Sequence, residues 1–219
     1  LLADPYALAL DGPFRHDPRL GEHRADTAGL VPKCVVTALP EPVPHAPPRF
    51  REGGLVDELQ VRAFTRLHPA VPQDQRGTIA ALAHPAIIEH LLKLRVTAVE
   101  LMPITAWIDE RHLPPLGLSN AWGYNPVVYM APDPRICPGG LAELRAAVAA
   151  LHGAGIGVLL DVVFNHTGES DAHGTILSLR GLDNANYFRH DDEDRLINDT
   201  GCGNTLACDH PAGRRLVLD

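Results

Sequence analysis

The sequence predicts an α/β fold: about three β/α units from the N-terminal part of a (β/α)8 TIM barrel, incomplete, preceded by an irregular proline-rich arm. Amphipathic helical spacings alternate with short apolar runs, and long loops follow those runs. Runs that are apolar on both faces and reached through a helix belong to a parallel sheet covered on both sides. Three units would also fit an open, doubly wound sheet. Long loops after the strands favour the barrel, because barrel proteins build their sites from βα loops. A closed barrel takes about 250 residues, and this chain has 219, some 54 of them in the arm.

Residues 1–54 form the expected irregular arm, with Pro40, Pro42, Pro44, Pro47 and Pro48 crowded into one stretch. Proline at that density removes ladder donors from the backbone, so neither helix nor sheet interior is expected there. A boundary near Gly53-Gly54 leaves residues 55–219 as the partial barrel. Val56 to Val61 is a candidate strand. His84 to Arg95 reads as a helix, with Pro85 in the first turn and one stripe of Ile87/Leu91 and Ile88/Leu92. Val96 to Met102 reads as a buried strand. Leu141, Leu144, Val148 and Leu151 recur at helical spacing, and Gly153 with Gly155 supplies the stop. Gly157 to Val163 is the next strand, expected to be buried on both faces around one carboxylate, Asp161. A third long loop runs from Phe164 to about Thr205, and Asp209 to Leu218 opens a further helix.

The composition bounds the partners. Nineteen Lys and Arg against 27 Asp and Glu give a net charge of −8, and no basic run reverses it. That balance argues against nucleic acid or an anionic membrane as partner. No stretch reaches the ~20 apolar residues that span a bilayer. The start at Leu1 has neither a basic n-region nor an initiator Met, so the chain is expected to be an internal piece of a longer cytoplasmic protein. Cys34, Cys137, Cys202 and Cys208 fit no zinc or redox spacing and are expected as reduced thiols, a Cys202–Cys208 disulfide being the minor alternative. No metal-ligand spacing is found among the 12 histidines. The acidic run Asp191 to Asp194 reads as a solvated loop.

Chemistry is concentrated in two places. Asp161 lies in the most apolar run of the chain, where an unpaired carboxylate costs several kcal/mol and must find a donor or cation. Asn165 and His166 follow where that strand should end, at the rim where barrel sites lie. The three together can bind hydroxyls, ligate a cation or orient a general base; the plainer alternative is a structural aspartate beside an ordinary turn. Trp122 and Tyr124 flank Gly123 and offer flat apolar faces with polar tips, which suit a sugar ring. Their plainer alternative is a loop anchor packed into the core.

Asp161-Val162-Val163-Phe164-Asn165-His166 resembles the D-x-V-x-N-H signature at the third barrel strand of the α-amylase family of glycoside hydrolases. Leu1–Ala7, Arg76–Thr78, Thr97–Pro103, Ser119–Pro126, Ser178–Asn184 and Thr200–Leu206 resemble its bacterial glycogen-debranching, isoamylase-type branch, so the resemblance covers essentially the whole chain. It implies a retaining hydrolase of α-1,6 branch points in glycogen or limit dextrin, with α-glucans, including maltooligosaccharides, as partners and no cofactor. By the same resemblance His166 bonds the primary hydroxyl of the sugar at the cleavage point, Tyr124 stacks on that sugar, and Asp161 holds the site's network with an arginine on the next strand. Asn165, a calcium ligand in many amylases, is expected here only to support the site, with no metal. Asn204 falls in a further family motif and is expected to line the cleft. Ala121 and Ala207 depart from the family pattern, a departure expected to alter the cleft wall.

Retaining hydrolysis needs two carboxyl groups about 5–5.5 Å apart. The family's nucleophile, in a G-F-R-F-D-like context, and its general acid have no counterpart in these 219 residues, so the chain alone is expected to be inactive. Alternatives are a non-catalytic α-glucan-binding module using Trp122, Tyr124 and His166, a metal-dependent hydrolase with Asp161 and His166 as ligands, or a trehalohydrolase or branching enzyme of the same family.

Overall fold

The computed structural model describes residues 1–22, 24–39, 41–42 and 52–219. Pro40, Pro44, Pro47 and Pro48 of the proline-rich stretch lie outside the described residues; Pro42 is exposed. The chain divides into two compact units: Val36–Ile104 with Pro132–Asp161, and Leu1–Val35 with Thr105–Ala131 and Val162–Asp219. Among the described residues no helix is long and apolar enough to cross a membrane.

The first unit is the β/α part. Strands β1 (Leu55–Leu59), β2 (Val96–Leu101) and β5 (Gly157–Leu160) form a parallel sheet in the order β1-β2-β5, the start of a (β/α) barrel that is not closed. Its central strand, β2, buries Val96, Ala98, Val99 and Leu101, as branched and small apolar residues do between covering layers. β1 is shorter than expected: Gln60 caps a short helix, α1 (Val61–Thr65), so Val61 starts a helix instead of ending a strand.

Helix α2 (Pro85–Lys93) carries Pro85 in its first turn and His84 as N-cap, the His84 ring accepting from the Ala86 N–H at 3.2 Å. Only half of its expected stripe is buried: Ile87 and Leu91 face the core, whereas Leu92 is exposed and Ile88 intermediate. Helix α3 (Gly140–Gly153) buries Ala147 and Leu151 and stops where Gly155 takes φ +79. Glu143 ties its start down, accepting from Gly139 N at 2.6 Å and Ala80 N at 2.8 Å.

β5 departs from expectation. It was expected to be buried on both faces, yet Leu159 and Leu160 are exposed, because β5 is an edge strand paired only with β2. Asp161 is correspondingly not inside the strand. It sits one residue past its end, half-buried, its N–H donating to Leu101 O at 3.0 Å. The cost of burying its charge is therefore smaller than an interior position would impose.

The second unit contains a pair of strands that the sequence reading did not separate from the loop, β3 (Thr105–Trp107) and β4 (Pro126–Pro132). β4 serves two clusters. Val127 and Val128 pack with Ala106, Ile108 and Leu177, and Tyr129 packs with Leu179, Phe188, Leu206 and Leu216. The described residues of 1–35 form no α-helix, and they fill the first cluster with Ala3, Phe14, Leu20 and Val31. The long loop from Phe164 also contains a helix, α4 (Leu179–Tyr187), interrupted at Asp183 (φ −160, ψ 76). The expected last helix is present as α5 (Pro211–Leu218), capped by His210. All four cysteines are free thiols. The acidic run forms an exposed turn in which Asp191 accepts from Arg195 N at 2.9 Å.

Candidate functional site

A cleft of about 690 Å3 opens in the second unit, and both Tyr124 and His166 line it. A smaller hollow of about 340 Å3 adjoins it, sharing Glu110, His112 and Tyr124 and adding Trp122. Residues 108–125 between β3 and β4 and residues 164–178 after Val163 supply most of these walls, with His16 to Gly21 and Asn198 to Gly203 completing the cleft.

The first loop is organised by Asn120. Its Oδ1 accepts from Trp122 N at 2.9 Å and Gly123 N at 2.8 Å, its N–H donates to Asp109, and its Nδ2 donates to Glu110 Oε1 at 2.9 Å. An Asx-type turn of this kind fixes the backbone through a short side chain, and Gly123 completes it at φ +84. Trp122, 65% exposed, and Tyr124, intermediate, then meet edge to face with ring centroids 6.4 Å apart. Trp122 is thus a surface platform and not a core anchor. Asn125 secures the loop's end, its Nδ2 donating to Ile108 O at 2.8 Å.

His166 is buried, with Nε2 2.9 Å from Tyr124 O and Nδ1 2.8 Å from Asn165 Oδ1. Burial lowers its pKa, so the neutral ring with a single N–H is favoured. A backbone carbonyl only accepts, so that proton sits on Nε2. The exposed Asn165 carboxamide must then present its NH2 to Nδ1.

Beneath the ring the backbone of residues 165–168 is gripped from several sides. Tyr129 Oη donates to His166 O at 3.0 Å, Leu206 N to Asn165 O at 3.0 Å, and Gly168 N to Pro126 O at 2.7 Å. Asn204 accepts from Thr167 N at 2.9 Å and donates to Thr167 O and Ser170 O, each at 3.0 Å. It is 1% exposed. Its carboxamide is committed to backbone, so Asn204 props the wall from behind, while its neighbours Gly201, Cys202 and Gly203 line the cleft.

Two acids that sequence reading passed over shape the second loop. Glu169 is buried and accepts from the N–H groups of Leu177 (2.7 Å), Ser178 (2.8 Å) and Arg180 (2.9 Å). Burial outweighs those bonds and raises its pKa. Asp171, on the cleft wall, receives both Arg111 guanidinium nitrogens, which hold its carboxyl below the usual range. The Arg180 guanidinium donates to Asp171 O and, at 3.1 Å, to Glu169 O. The signal available for Glu169 and Asp171 was their place in a long loop after a strand, which does not separate them from solvated acids. Asp161, the residue after β5, belongs to the other unit.

Among the described residues no group of three or more His, Cys, Asp or Glu is arranged to hold a metal ion. The neutral, hydrogen-bonded His166 and the exposed aromatic faces instead suit a neutral, hydroxyl-bearing ligand.

Fold and site together define a chain that carries the parallel sheet of an unclosed (β/α) barrel in one unit and, in the other, a loop-built cleft lined by Tyr124 and His166. The chain bears, over its full length, a family resemblance to glycogen debranching enzymes and pullulanases. It is 46% identical over 233 residues to a glycogen debranching enzyme of Yersinia pseudotuberculosis serotype IB, and 46% identical over 239 residues to one of Yersinia enterocolitica serotype O:8. Each match takes in 100% of this chain and 35% of the relative, so the chain spans about a third of the length of these curated relatives. In structure it matches a pullulanase from Anoxybacillus sp. LM18-11 complexed with maltotetraose, with a TM-score of 0.71 and 27% identity over 99% of this chain and 31% of that one. Apo pullulanase from Paenibacillus barengoltzii, 24% identical with a TM-score of 0.66, shares the fold. No protein-family model matches the chain.

Proposed function

We propose that this chain supplies the sugar-gripping wall of an α-1,6-glucan debranching hydrolase acting on glycogen or limit dextrin by a retaining mechanism. The observation that carries the reading is the convergence of Tyr124 and His166 on one cleft, the imidazole held at 2.9 Å by the Tyr124 carbonyl. Tyr124 offers a face for the C–H surface of a glucose ring, and His166 offers Nδ1 to its primary hydroxyl once Asn165 yields. Trp122, in the adjoining hollow, gives a second platform for the next sugar. The full-length likeness to glycogen debranching enzymes supports the substrate class.

The bond-breaking pair is assigned to residues other than these 219. Retaining cleavage needs two carboxyl groups about 5–5.5 Å apart across the scissile bond. Of the acids that line the cleft, Asp171 is ion-paired with Arg111 and Asp17 with Arg19, while Asp109 and Glu110 accept from Asn120 in the turn; Glu169, behind the wall, is spent on backbone amides.

The test is to titrate the purified chain with maltotetraose while following tryptophan fluorescence, and to assay reducing-end release from a branched limit dextrin. Saturable quenching without hydrolysis is expected. Turnover that survives Asp161→Ala would place the catalytic groups elsewhere in this chain, and the absence of any maltotetraose response would overturn the reading. The exposure of Trp122 also fits a non-catalytic α-glucan-binding module, favoured if binding is tight and a full-length homologous enzyme does not require this cleft for turnover.

A further inference from the structure

One buried hydroxyl joins strand β4 to the backbone of His166 on the cleft wall. Tyr129 lies on β4, 6% exposed, its ring stacked on Phe164 with centroids 5.5 Å apart and an interplanar angle of 21°. The stack aims the phenol oxygen at the carbonyl of His166, to which it donates at 3.0 Å across 37 residues of sequence. Phe164 is itself held, because its carbonyl accepts from the Cys208 thiol at 3.0 Å. One residue further on, Asn204 grips both polar groups of Thr167. The peptide unit that follows the His166 Cα is therefore held by side chains at both of its polar groups, His166 O by Tyr129 from β4 and Thr167 N by Asn204 from the loop before α5, while the unit before it is held by the Leu206 N–H on Asn165 O.

This has a consequence for the ring. An imidazole whose two nitrogens must meet Tyr124 O and the Asn165 carboxamide simultaneously tolerates little rotation of its backbone. Groups that lock the orientation of a site residue through bonds to its surroundings act as strongly on its geometry as the residue's own contacts.

We propose that Tyr129, with Asn204 as its second point of grip, is the positioning residue that sets the His166 imidazole on the cleft wall. The role is defined for the sugar cleft proposed above, and it accounts for a hydroxyl in a packed cluster where phenylalanine would fill the same space. Tyr129 touches no ligand; it acts only through His166.

The experiment reads the ring directly and without sugar. Long-range 1H–15N correlation spectra of the His166 imidazole are recorded for the full 219-residue chain, for Tyr129→Phe, which keeps the stacked ring and removes one hydroxyl, and for Asn204→Asp, which keeps the acceptor for Thr167 N and removes the donors. The unsubstituted chain is expected to give a single Nε2–H tautomer. Both variants should shift the His166 nitrogens toward the averaged values of a free imidazole while the other histidines stay in place, and maltotetraose affinity should fall roughly tenfold. Unchanged His166 nitrogens in both folded variants overturn the proposal. Unfolding of both would overturn it too, since the bonds would then be supporting the domain and not the ring. If the nitrogens shift but the unsubstituted chain binds no maltotetraose, the positioning role stands and the α-glucan reading fails.

Discussion

Asn204 holds Thr167 by both of its backbone polar groups, accepting its N–H at 2.9 Å and donating to its carbonyl at 3.0 Å. The two residues are 37 apart in sequence and both are 1% exposed, so solvent offers no replacement for either bond. Asn204→Ala strands a buried donor and loses three hydrogen bonds, a cost of about 3 kcal/mol. A urea titration should show a lower midpoint at unchanged slope.

The ionisation of His166 links this wall to pH. Burial lowers its pKa from the ordinary value of 6.5, so the fold holds the neutral ring. As pH falls, the unfolded chain takes up the proton first, near 6.5, and the folded chain only lower. Between those values the unfolded state binds more protons, and stability drops as pH drops through the folded pKa. The urea midpoint should therefore decline below about pH 6.5, and His166→Gln, measured at the same pH values, should remove that part of the slope.

The four thiols should separate by reagent access. Cys202 is exposed on the cleft wall, whereas Cys137 is 1% exposed and burial pushes its pKa up to about 12. The thiolate is the reactive form. Labelling with an aromatic disulfide at neutral pH should modify Cys202 rapidly, a phase that Cys202→Ser abolishes, and should modify Cys137 only on unfolding.

Gly203 tests the cleft's backbone. It sits at φ +102, and a Cβ there would meet Asp171 N at 2.5 Å and the Ser170 carbonyl carbon at 2.7 Å. Gly203→Ala combines backbone strain with a clash against the main chain of the opposing loop, for about 2 kcal/mol or more. The melting temperature should fall several degrees more than for Gly12→Ala, where a Cβ meets open space.

What could be read from the sequence was what depends on neighbours along the chain. Helical spacing located α2 and α3, and the branched run from Val96 located β2. What depended on neighbours in space was missed. Leu159 and Leu160 look like core residues, but burial needs a covering layer that an edge strand lacks. β3 has three residues, too few for periodicity, and α4 is broken at Asp183, which erases its stripe. Tyr124, Asn165 and His166 stand out in the sequence because their residue types announce chemistry and two are adjacent; in the fold Tyr124 and His166 line one cleft and Asn165 meets the imidazole. Asn204 was singled out for the right region, yet its side chain faces backbone. Tyr129 and Asn120 act by hydrogen bonds to the main chain, which leave no pattern in a single sequence.

Calorimetric titration of maltotetraose into the folded chain, beside Tyr124→Ala and His166→Ala, addresses the central claim most directly. The account predicts measurable binding that weakens at least tenfold, about 1.4 kcal/mol, in each variant while both remain folded by circular dichroism. Equal affinity in all three proteins would contradict it, because the α-glucan would then be held somewhere other than the wall that Tyr124 and His166 build.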